Sequence, residues 1–387
     1  MIIVYALQEA PKSYGKSIFL AGPTPRDKDV PSWRPEAIRL LEELGFDGVV
    51  FVPEAGDSTW KRDYTDQVEW EEKYLNSADI TLFWVPREMQ TMPALTTNVE
   101  WGMWYDSGKA VLGHPEGAQH VRYLSYYGQK EAAPCETDLR EALRRAVEII
   151  GDGAVRTGSE TLVPLILWKT ASFQGWYRRT VSDAGNRLDG FRVKVICRAG
   201  PQKKFVFLWV AHVNIWVEAE GRNKSNEIIL ARPDICSLVL FRRGVTLLDT
   251  EVVLVREFRS TVNNSKGFVL ELPGGSSWKS GQEPSVVMCD ECREETGIEI
   301  SPERAHIVGD RQLLATFSVH RALVGAVELT EAEMRDARLR VGSVRAESHE
   351  TGERVYLEVK TIRDLLGISG QQMDWSNLGM IMAAIQG

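Results

Sequence analysis

The sequence predicts an α/β protein in two parts: an N-terminal open parallel sheet with flanking helices, and a C-terminal α+β fold preceded by a β-rich segment. The first part alternates short apolar runs with amphipathic stretches, as parallel strands joined by helices do. After the polar stretch 151–158, strand-like runs dominate until Pro284. Because 387 residues exceed what one core usually serves, we predict domains at 1–152 and 165–387, joined by a linker at 153–164.

The N-terminal elements follow from apolar spacing and from helix and strand breakers. Ser17-Ile-Phe-Leu-Ala21 is an apolar run closed by Gly22-Pro23, which predicts a strand and a turn. Apolar residues at helical spacing end before Gly45, which predicts a helix over 35–44. The remaining predicted strands are 48–52, 80–85 and 108–112, and the remaining predicted helices are 67–77, 100–107 and 138–150.

The C-terminal part is antiparallel in character. Its predicted strands are 193–197, 204–211, 214–218, 228–230, 237–241, 251–256 and 355–359, and a helix is predicted after Pro284. The pattern contains no internal repeat, which excludes a solenoid.

Composition limits the class of partner. A net charge of −8 argues against nucleic acid and against an anionic membrane surface. No apolar run reaches the length of a membrane span and no secretory leader is evident, so we expect a cytoplasmic protein. Five cysteines do not form a disulfide framework, and Cys289 and Cys292 fit buried helix positions better than a zinc site.

Three glutamates in the predicted C-terminal helix are the most informative feature. Glu291, Glu294 and Glu295 lie on or near one helical face, after the turn Gly274-Gly275. Crowded carboxylates repel each other, and a hard divalent cation relieves that repulsion. Mg²⁺ binds a few carboxylates together with substrate phosphate, so the pattern predicts diphosphate chemistry. The alternative is an exposed acidic helix face.

Asp290-Glu-Cys-Arg-Glu-Glu-Thr-Gly-Ile298 resembles the Nudix hydrolase signature, and Val253 to Arg259 with Glu271-Leu-Pro-Gly-Gly275 resembles its ADP-sugar pyrophosphatase branch. The resemblance implies hydrolysis of a nucleoside diphosphate linked to another group. It implies Mg²⁺, or Mn²⁺ in its place, as the cofactor. The implied residues are Glu291 as a catalytic and metal-binding residue; Glu294, Glu295, Gly274 and Glu350 around the metal; and Arg256 and Arg259 on the substrate.

The chain departs from the Nudix pattern at two positions and by one extra residue after Gly275. Asp290 stands where the family has arginine, and Gln282 stands where it has the upstream glutamate. An alternative function follows, in which the C-terminal half binds a nucleotide without hydrolysing it and regulates the N-terminal half. Arg256 and Arg259 could also be strand-surface charges.

Four N-terminal pieces stand in a recognisable order: Phe19-Leu-Ala-Gly-Pro23, Glu69-Trp-Glu-Glu, Leu75-Asn-Ser-Ala-Asp79 and Val99-Glu-Trp-Gly102. Together they resemble the nucleoside 2-deoxyribosyltransferase family and its nucleotide N-glycosidase relatives. The resemblance implies that Glu100 attacks the anomeric carbon and that Glu71 handles the departing base. It implies substrate contacts from Gly22, Thr24, Arg26 and Asp79. Phe19 replaces the family's usual tyrosine.

Each of these residues has a structural alternative. Glu100 could be a helix-start glutamate that the helix dipole favours, and Glu71 could belong to a solvated charged face. Asp79 could be a structural residue between a helix and a strand. The tryptophans at 70, 84, 101 and 104 could stack on a base, although core packing explains most of them.

The sequence therefore predicts a two-domain enzyme that acts on a small nucleotide-like molecule. The N-terminal half would cleave or transfer at an N-glycosidic bond, and the C-terminal half would hydrolyse an ADP-ribose-like diphosphate. The resemblance to the ADP-sugar pyrophosphatase branch, in which the extra β-rich segment often helps form a dimer, implies a homodimer. A further alternative is a scaffold in which both halves are inactive, against which the retained Glu100 and Glu294-Glu295 count.

Overall fold

The computed structural model describes residues 1–27, 29–55, 64–276, 282–347, 354–367 and 372–386. The chain divides into two compact units, Met1–Arg232 and Pro233–Gly387. Within the described ranges, no helix is both long enough and apolar enough to cross a membrane.

The first unit is built on parallel strands with helices between them. Its strands are β1 (Ile2–Tyr5), β2 (Ser13–Tyr14), β3 (Ser17–Ala21), β4 (Val49–Val52), β5 (Ile80–Trp84), β6 (Ala110–Gly113), β7 (Cys135–Glu136), β8 (Arg156–Thr157), β9 (Arg187–Ala199), β10 (Phe205–Val217) and β11 (Arg222–Ala231). Its helices are α1 (Arg34–Glu43), α2 (Tyr64–Ser77), α3 (Leu95–Trp104), α4 (Arg122–Lys130), α5 (Leu139–Ile150), α6 (Leu165–Trp168) and α7 (Ala171–Tyr177).

The main sheet of this unit has the strand order β1-β4-β3-β5-β6-β7, and all neighbours run parallel. The chain leaves β3 toward one edge to form β4 and then crosses to form β5 on the other side of β3. The strand order therefore reverses between β3 and β5. In open parallel sheets, ligands bind outside the carboxyl ends of the strands at such a switch point.

Helices cover both faces of this sheet, which confirms the predicted N-terminal parallel sheet with flanking helices. On one face, Phe19, Phe51 and Phe83 pack against α2, α3 and α4. On the other face, Leu20 and Leu82 pack against α1 and α5. Strands buried on both sides need apolar residues at successive positions, which explains their continuous apolar runs.

The predicted elements mostly stand where the sequence placed them. Strand 17–21 is confirmed, and α5 begins one residue after the predicted position because Asp138 accepts a hydrogen bond from the Glu141 amide as the N-cap. Helix α3 begins at Leu95, five residues before the predicted start at Glu100. Its N-cap residue, Ala94, has a φ of 56° and makes no side-chain cap, so the usual signal of a helix start is missing.

A three-stranded antiparallel sheet, β11-β10-β9, completes the first unit. The side-chain amide of Asn76 bonds to both backbone groups of Val193 (3.1 and 3.3 Å), which ties α2 to β9. The predicted strands 204–211 and 214–218 form one strand, β10, with register shifts near Asn214. Residues 153–164, predicted as a linker, pack within this unit, where buried Arg156 donates to Asp79.

The second unit has strands β12 (Ile235–Arg242), β13 (Glu251–Phe258), β14 (Phe268–Glu271), β15 (Gly274–Gly275), β16 (His306–Gln312), β17 (Arg321–Glu328), β18 (Val344–Glu347) and β19 (Arg354–Thr361). Its helices are α8 (Pro284–Thr296), α9 (Glu331–Leu339), α10 (Ile362–Leu366) and α11 (Trp375–Gln386).

These strands form a mixed sheet of order β16-β17-β12-β13-β19-β18, with β14 on β13 and β15 on β12. Alternate residues of β12 face opposite sides, as the pleat requires. Leu238 and Leu240 pack with α8 and α9, whereas Val239 and Phe241 pack with α10 and α11. The sheet therefore lies between two helical layers. Helix α8, which lies in the same layer as α9, carries the predicted acidic cluster.

Candidate functional sites

The first candidate site is the crevice at the carboxyl ends of β3 and β5. Gly22 directly follows β3 and has a φ of 151°. A Cβ atom there would lie 2.2 Å from the carbonyl oxygen of Trp84 and 2.8 Å from the Trp33 ring. Only glycine fits this close approach, so the backbone of Gly22 is held against the end of β5.

Arg34 organises the crevice from the first turn of α1. Its side chain is buried and donates to the carbonyl oxygens of Leu20 (3.1 Å) and Gly22 (2.7 Å). It also donates to the hydroxyl of Thr24 (3.1 Å) and to the carboxylate of Glu54 (2.5 Å). One cation thus fixes both ends of the Gly22 turn.

The positive charge of Arg34 acts on two carboxylates, Glu100 and Glu71, and lowers the pKa of each. The pKa of Glu100 is raised from its ordinary value of 4.5 to about 7, mainly by burial and also by the charge of Glu71, whereas the charge of Arg34 opposes the rise. Burial also raises the pKa of Glu71, against a hydrogen bond from Gln67 (2.8 Å) and the charge of Arg34. The structure therefore brings together two carboxylates whose pKa values are both raised, which is the arrangement that acid–base chemistry needs.

The helix that carries Glu100 excludes one alternative. Because α3 begins at Leu95, Glu100 lies in its second turn and beyond the reach of the unpaired amides at the helix start. Its inward neighbours Thr97 and Trp101 are buried, so Glu100 lies at the edge of the face that packs on the sheet. The helix-start interpretation of Glu100 is wrong.

The other predicted substrate residues separate into two groups. Thr24 lies in the crevice as an acceptor for Arg34, and the amide of Arg26 donates to the carbonyl of Thr91 (2.9 Å), which joins the loops after β3 and β5. Asp79 does not belong there, because it precedes β5 and lies at the amino end of the sheet. Its carboxylate accepts two bonds from Arg156 (2.6 and 2.7 Å) and one from Ser17 (3.0 Å). Asp79 is thus corrected from substrate contact to structural residue.

The four tryptophans proposed as alternatives for base stacking are all core residues. Trp70, Trp84, Trp101 and Trp104 are buried. Trp70 packs on Phe19 with ring centroids 6.0 Å apart, and its indole donates to the carbonyl of Gln8. The phenyl ring at the family's tyrosine position is thus fully packed.

Sequence reasoning missed Arg34 and Glu54. Glu54 follows β4 at the same edge of the sheet as Gly22, so the rule that selected Gly22 also selects Glu54. Arg34 had no such signal, because an arginine next to Pro35 at a helix start is an ordinary surface residue by pattern. Its burial depends on a tertiary contact between α1 and the β3 turn.

The second candidate site is an acidic cluster around α8. Burial raises the pKa of Glu295 from 4.5 to about 8, and the charges of Glu291, Glu257 and Glu271 add to the rise. Glu295 accepts a hydrogen bond from the amide of Gly274 (3.0 Å). A Cβ on Gly275 would lie 2.8 Å from the carboxylate of Glu291, so the glycine turn lets both glutamates approach the backbone. Sequence reasoning did not assign a role to Glu257 or Glu271.

The predicted arginines of this unit are engaged with carboxylates. Arg259 contacts Glu257 and Glu271 at 2.9 Å each. Arg256 contacts Glu358 at 3.0 Å and lies over the Tyr356 ring at 4.5 Å. Arg259 therefore belongs to the acidic cluster, whereas Arg256 belongs to an ion pair on the neighbouring strands.

The predicted metal ligands are only partly brought together. The charge of Glu291 raises the pKa of Glu295, so these two carboxylates lie near each other. Glu294 is exposed on α8, and Glu350 lies outside the described residues. Within the described ranges, no three His, Cys, Asp or Glu side chains are grouped closely enough to hold a metal ion. The donors are still of the type that a hard cation prefers, because Glu295 is a largely buried carboxylate with a raised pKa and the charge of Glu291 acts on it.

Comparison with known proteins bears on the first site. Residues 15–118 match the family model described as nucleoside 2-deoxyribosyltransferase like. The match contains Gly22, Arg34, Glu54, Glu71 and Glu100, and it ends after β6. No curated protein matches the chain. Residues 15–118 thus form a nucleoside 2-deoxyribosyltransferase-like domain.

Proposed function

We propose that the first unit breaks the N-glycosidic bond of a nucleoside or nucleotide and passes the sugar to water or to a second base. The observation that carries the proposal is the pairing of Glu100 with Glu71 beside Arg34, at the switch point of the parallel sheet. The family match over residues 15–118 supports the same class of glycosyl transfer.

The two carboxylates divide the work. In the reactive state Glu100 is ionised and Glu71 carries the proton. A Glu100 oxygen bonds to the anomeric carbon as the carbon–nitrogen bond breaks, and that electron pair stays on the base, which takes the proton from Glu71. Water or a second base then attacks the same carbon, Glu71 accepts the proton, and Glu100 leaves. Arg34 stabilises the ionised form of Glu100 and fixes the Gly22 turn that borders the crevice.

Product analysis tests this proposal. The full chain is incubated with a panel of nucleosides, nucleotides, NAD and ADP-ribose, and free base is measured by chromatography. Glu100→Gln and Glu71→Gln should each reduce base release, whereas Glu69→Gln, an exposed glutamate on the same helix as Glu71, should not. Base release that survives in Glu100→Gln would disprove the proposed nucleophile.

We propose as a second function that the other unit hydrolyses a nucleoside diphosphate derivative with Mg²⁺ or Mn²⁺. The observation that favours it is a buried glutamate, Glu295, which accepts a hydrogen bond from the Gly274 amide and whose pKa is raised by burial and by the charges of Glu291, Glu257 and Glu271. Glu291 and Glu295 would hold the ion, which supplies charge neutralisation for the diphosphate when bound. The amide of Gly274 orients Glu295 for this role.

Mg²⁺ titration and product analysis of this unit decide between hydrolysis and sensing. The full chain and Glu295→Gln are followed by calorimetric titration with Mg²⁺ and by analysis of phosphate-containing products. Hydrolysis predicts monophosphate products that need Mg²⁺ and disappear in Glu295→Gln but persist in Glu299→Gln, an exposed glutamate next to the same helix. Nucleotide binding without products would instead support the regulatory role that Asp290 and Gln282 motivate.

The fusion of the two units motivates one further proposal, that they act in series on one metabolite in a cytoplasmic homodimer. Comparison of Glu100→Gln with Glu295→Gln tests the series, because the compound that accumulates in one variant should be consumed by the other. If neither variant accumulates a compound that the other consumes, the two units act on separate substrates. Sedimentation velocity measures the oligomeric state of the full chain and so tests the proposed homodimer.

A further inference from the structure

A large cavity lies at the amino ends of β5 and β6, at the opposite edge of the sheet from Glu100. Its volume is 770 Å³, which is within the range of about 300–1,000 Å³ that small-molecule sites occupy. Ile80, Gly108 and Pro134 border it just before or at the start of their strands. The loop after β9 and the end of α5 complete the wall.

The lining of this cavity is strongly cationic. It includes Arg145, Lys169, Arg198, Lys203 and Lys204, against the two acidic residues Asp79 and Glu148. Arg156 neutralises Asp79, and Arg145 pairs with Glu148 at 3.0 Å. A cationic surplus on a chain of net charge −8 is a local feature that composition does not explain.

Arg198 is placed here at a structural cost. Its side chain is only 9% exposed, and its two terminal nitrogens donate to the carbonyls of Glu131 (2.7 Å) and Lys203 (3.3 Å). Its Nε is buried and has no hydrogen-bond partner in the part of the chain that the structure describes. A Cβ on Gly108 would lie 2.6 Å from Arg198 Cδ, so the glycine leaves space for this side chain. A buried donor without an acceptor is unfavourable, so holding Arg198 beside the cavity costs free energy of folding.

The turn that presents the neighbouring lysines is strained. Gln202 and Lys203 have successive positive φ values of 55° and 51°, which non-glycine residues rarely adopt. Lys203 is held by Glu131, whereas Lys204 is exposed and makes no hydrogen bond or ion pair with any described residue. Backbone strain of this kind concentrates at binding sites.

We propose that this cavity is a second ligand site, separate from the glycosidic crevice, that binds a small molecule carrying two or more phosphate groups. Lys169 and Lys204 supply charge-assisted hydrogen bonds to the phosphate oxygens, and the Arg198 guanidinium adds positive charge beside them. Ile149 and Ile166 form an apolar wall beside them, which suits a nucleoside attached to the phosphates. A free polyphosphate and a nucleoside triphosphate share this chemistry.

Calorimetric titration of the full chain tests the site, with tripolyphosphate and a nucleoside triphosphate as the two probes. Lys204→Gln and Lys169→Gln should each weaken tripolyphosphate binding by about fivefold or more. Lys12→Gln removes the same charge from an exposed position outside the cavity and should leave the affinity unchanged. Glu100→Gln should also leave it unchanged, because that side chain lies at the other edge of the sheet.

The nucleoside triphosphate arm separates the two sources of the ligand. Tighter binding of the nucleoside triphosphate shows that the apolar wall contributes, and equal affinity shows that the phosphates alone are recognised. The proposal is overturned if tripolyphosphate does not saturate the protein below about 1 mM. It is also overturned if Lys12→Gln weakens binding as much as Lys204→Gln, because the attraction would then be non-specific. Loss of binding in Glu100→Gln would move the site to the crevice.

Discussion

Replacing Glu100 with glutamine should stabilise the protein while it removes activity. The substitution keeps the shape of the side chain but removes a carboxylate that is costly to ionise where it lies. The difference between the ordinary pKa of 4.5 and the pKa of about 7 in the folded state sets the cost. At roughly 1.4 kcal/mol per pH unit, the ionised form opposes folding by about 3 kcal/mol. Because Glu100 is partly exposed, this is an upper value.

The sign of the pH dependence follows from the raised pKa of Glu100. Below pH 4.5 the residue is protonated in both the folded and the unfolded chain, and the substitution changes little. Between 4.5 and about 7 the unfolded chain loses the proton first, so the stability of the wild type falls as pH rises. We therefore expect Glu100→Gln to gain about 3 kcal/mol at pH 8 and less than about 1 kcal/mol at pH 5.

Thermal unfolding of the first unit measures this gain. For a unit of this size, about 3 kcal/mol corresponds to a rise in Tm of about 6–12 °C at pH 8. Glu69→Gln removes the same charge from an exposed position of α2 and serves as the matched control at both pH values. A Tm for Glu100→Gln that is unchanged at pH 8, or raised equally at pH 5, would refute the assignment of a buried, proton-holding carboxylate.

Three further substitutions test the crevice. Arg34→Met leaves a carboxylate without its buried partner and should cost about 3 kcal/mol in the free energy of unfolding, measured by urea titration, whereas a loss below about 1 kcal/mol would contradict the role of Arg34. Glu71→Gln removes a negative charge that raises the pKa of Glu100, so the acid limb of the remaining base release should move to lower pH. An acid limb that stays at the same pH would show that the charge of Glu71 does not influence the pKa of Glu100. Gly22→Ala forces a Cβ to within 2.2 Å of a backbone carbonyl, and circular dichroism melting should show destabilisation together with lost base release.

The strands and the two-sided helical cover were predictable because burial on both faces demands continuous apolar runs. Ile18 to Leu20 and Leu82 to Trp84 are such runs, and both are buried in the sheet. The start of α3 was not predictable in this way. Its cap lacks a side-chain acceptor, and the turn is held by the packing of Ala94 and Trp101 in the core.

The crevice residues also divide into those that the sequence predicts and those that depend on a tertiary contact. Glu71 and Glu100 stand in ordered motifs, so the sequence predicted them, and the structure places both in the field of Arg34. Asp79 also stands in such a motif, but its position before β5 puts it at the wrong edge of the sheet. Motif order alone does not tell which end of a strand a residue occupies, whereas the chain direction does. The role of Arg34 is visible only from the tertiary contact between α1 and the turn after β3.

The boundary of the β-rich segment shows another limit of pattern reasoning. A change from alternating strands and helices to strands alone predicts the start of a new domain. The structure places β9 to β11 in the first compact unit, where Asn76 bonds to the backbone of β9. A change in secondary-structure type shows where an architecture changes, but a domain ends only where contacts become few.

The two acidic sites differ in how their charge is balanced, and this difference predicts different chemistry. In the crevice, the charge of buried Arg34 acts on Glu54, Glu71 and Glu100, and burial raises the pKa of the last two. Around α8, burial and the charges of Glu291, Glu257 and Glu271 raise the pKa of Glu295 to about 8, so a bound cation would favour the ionised form of Glu295. The crevice therefore suits a reaction that moves a proton. The α8 cluster suits one that begins when a cation binds.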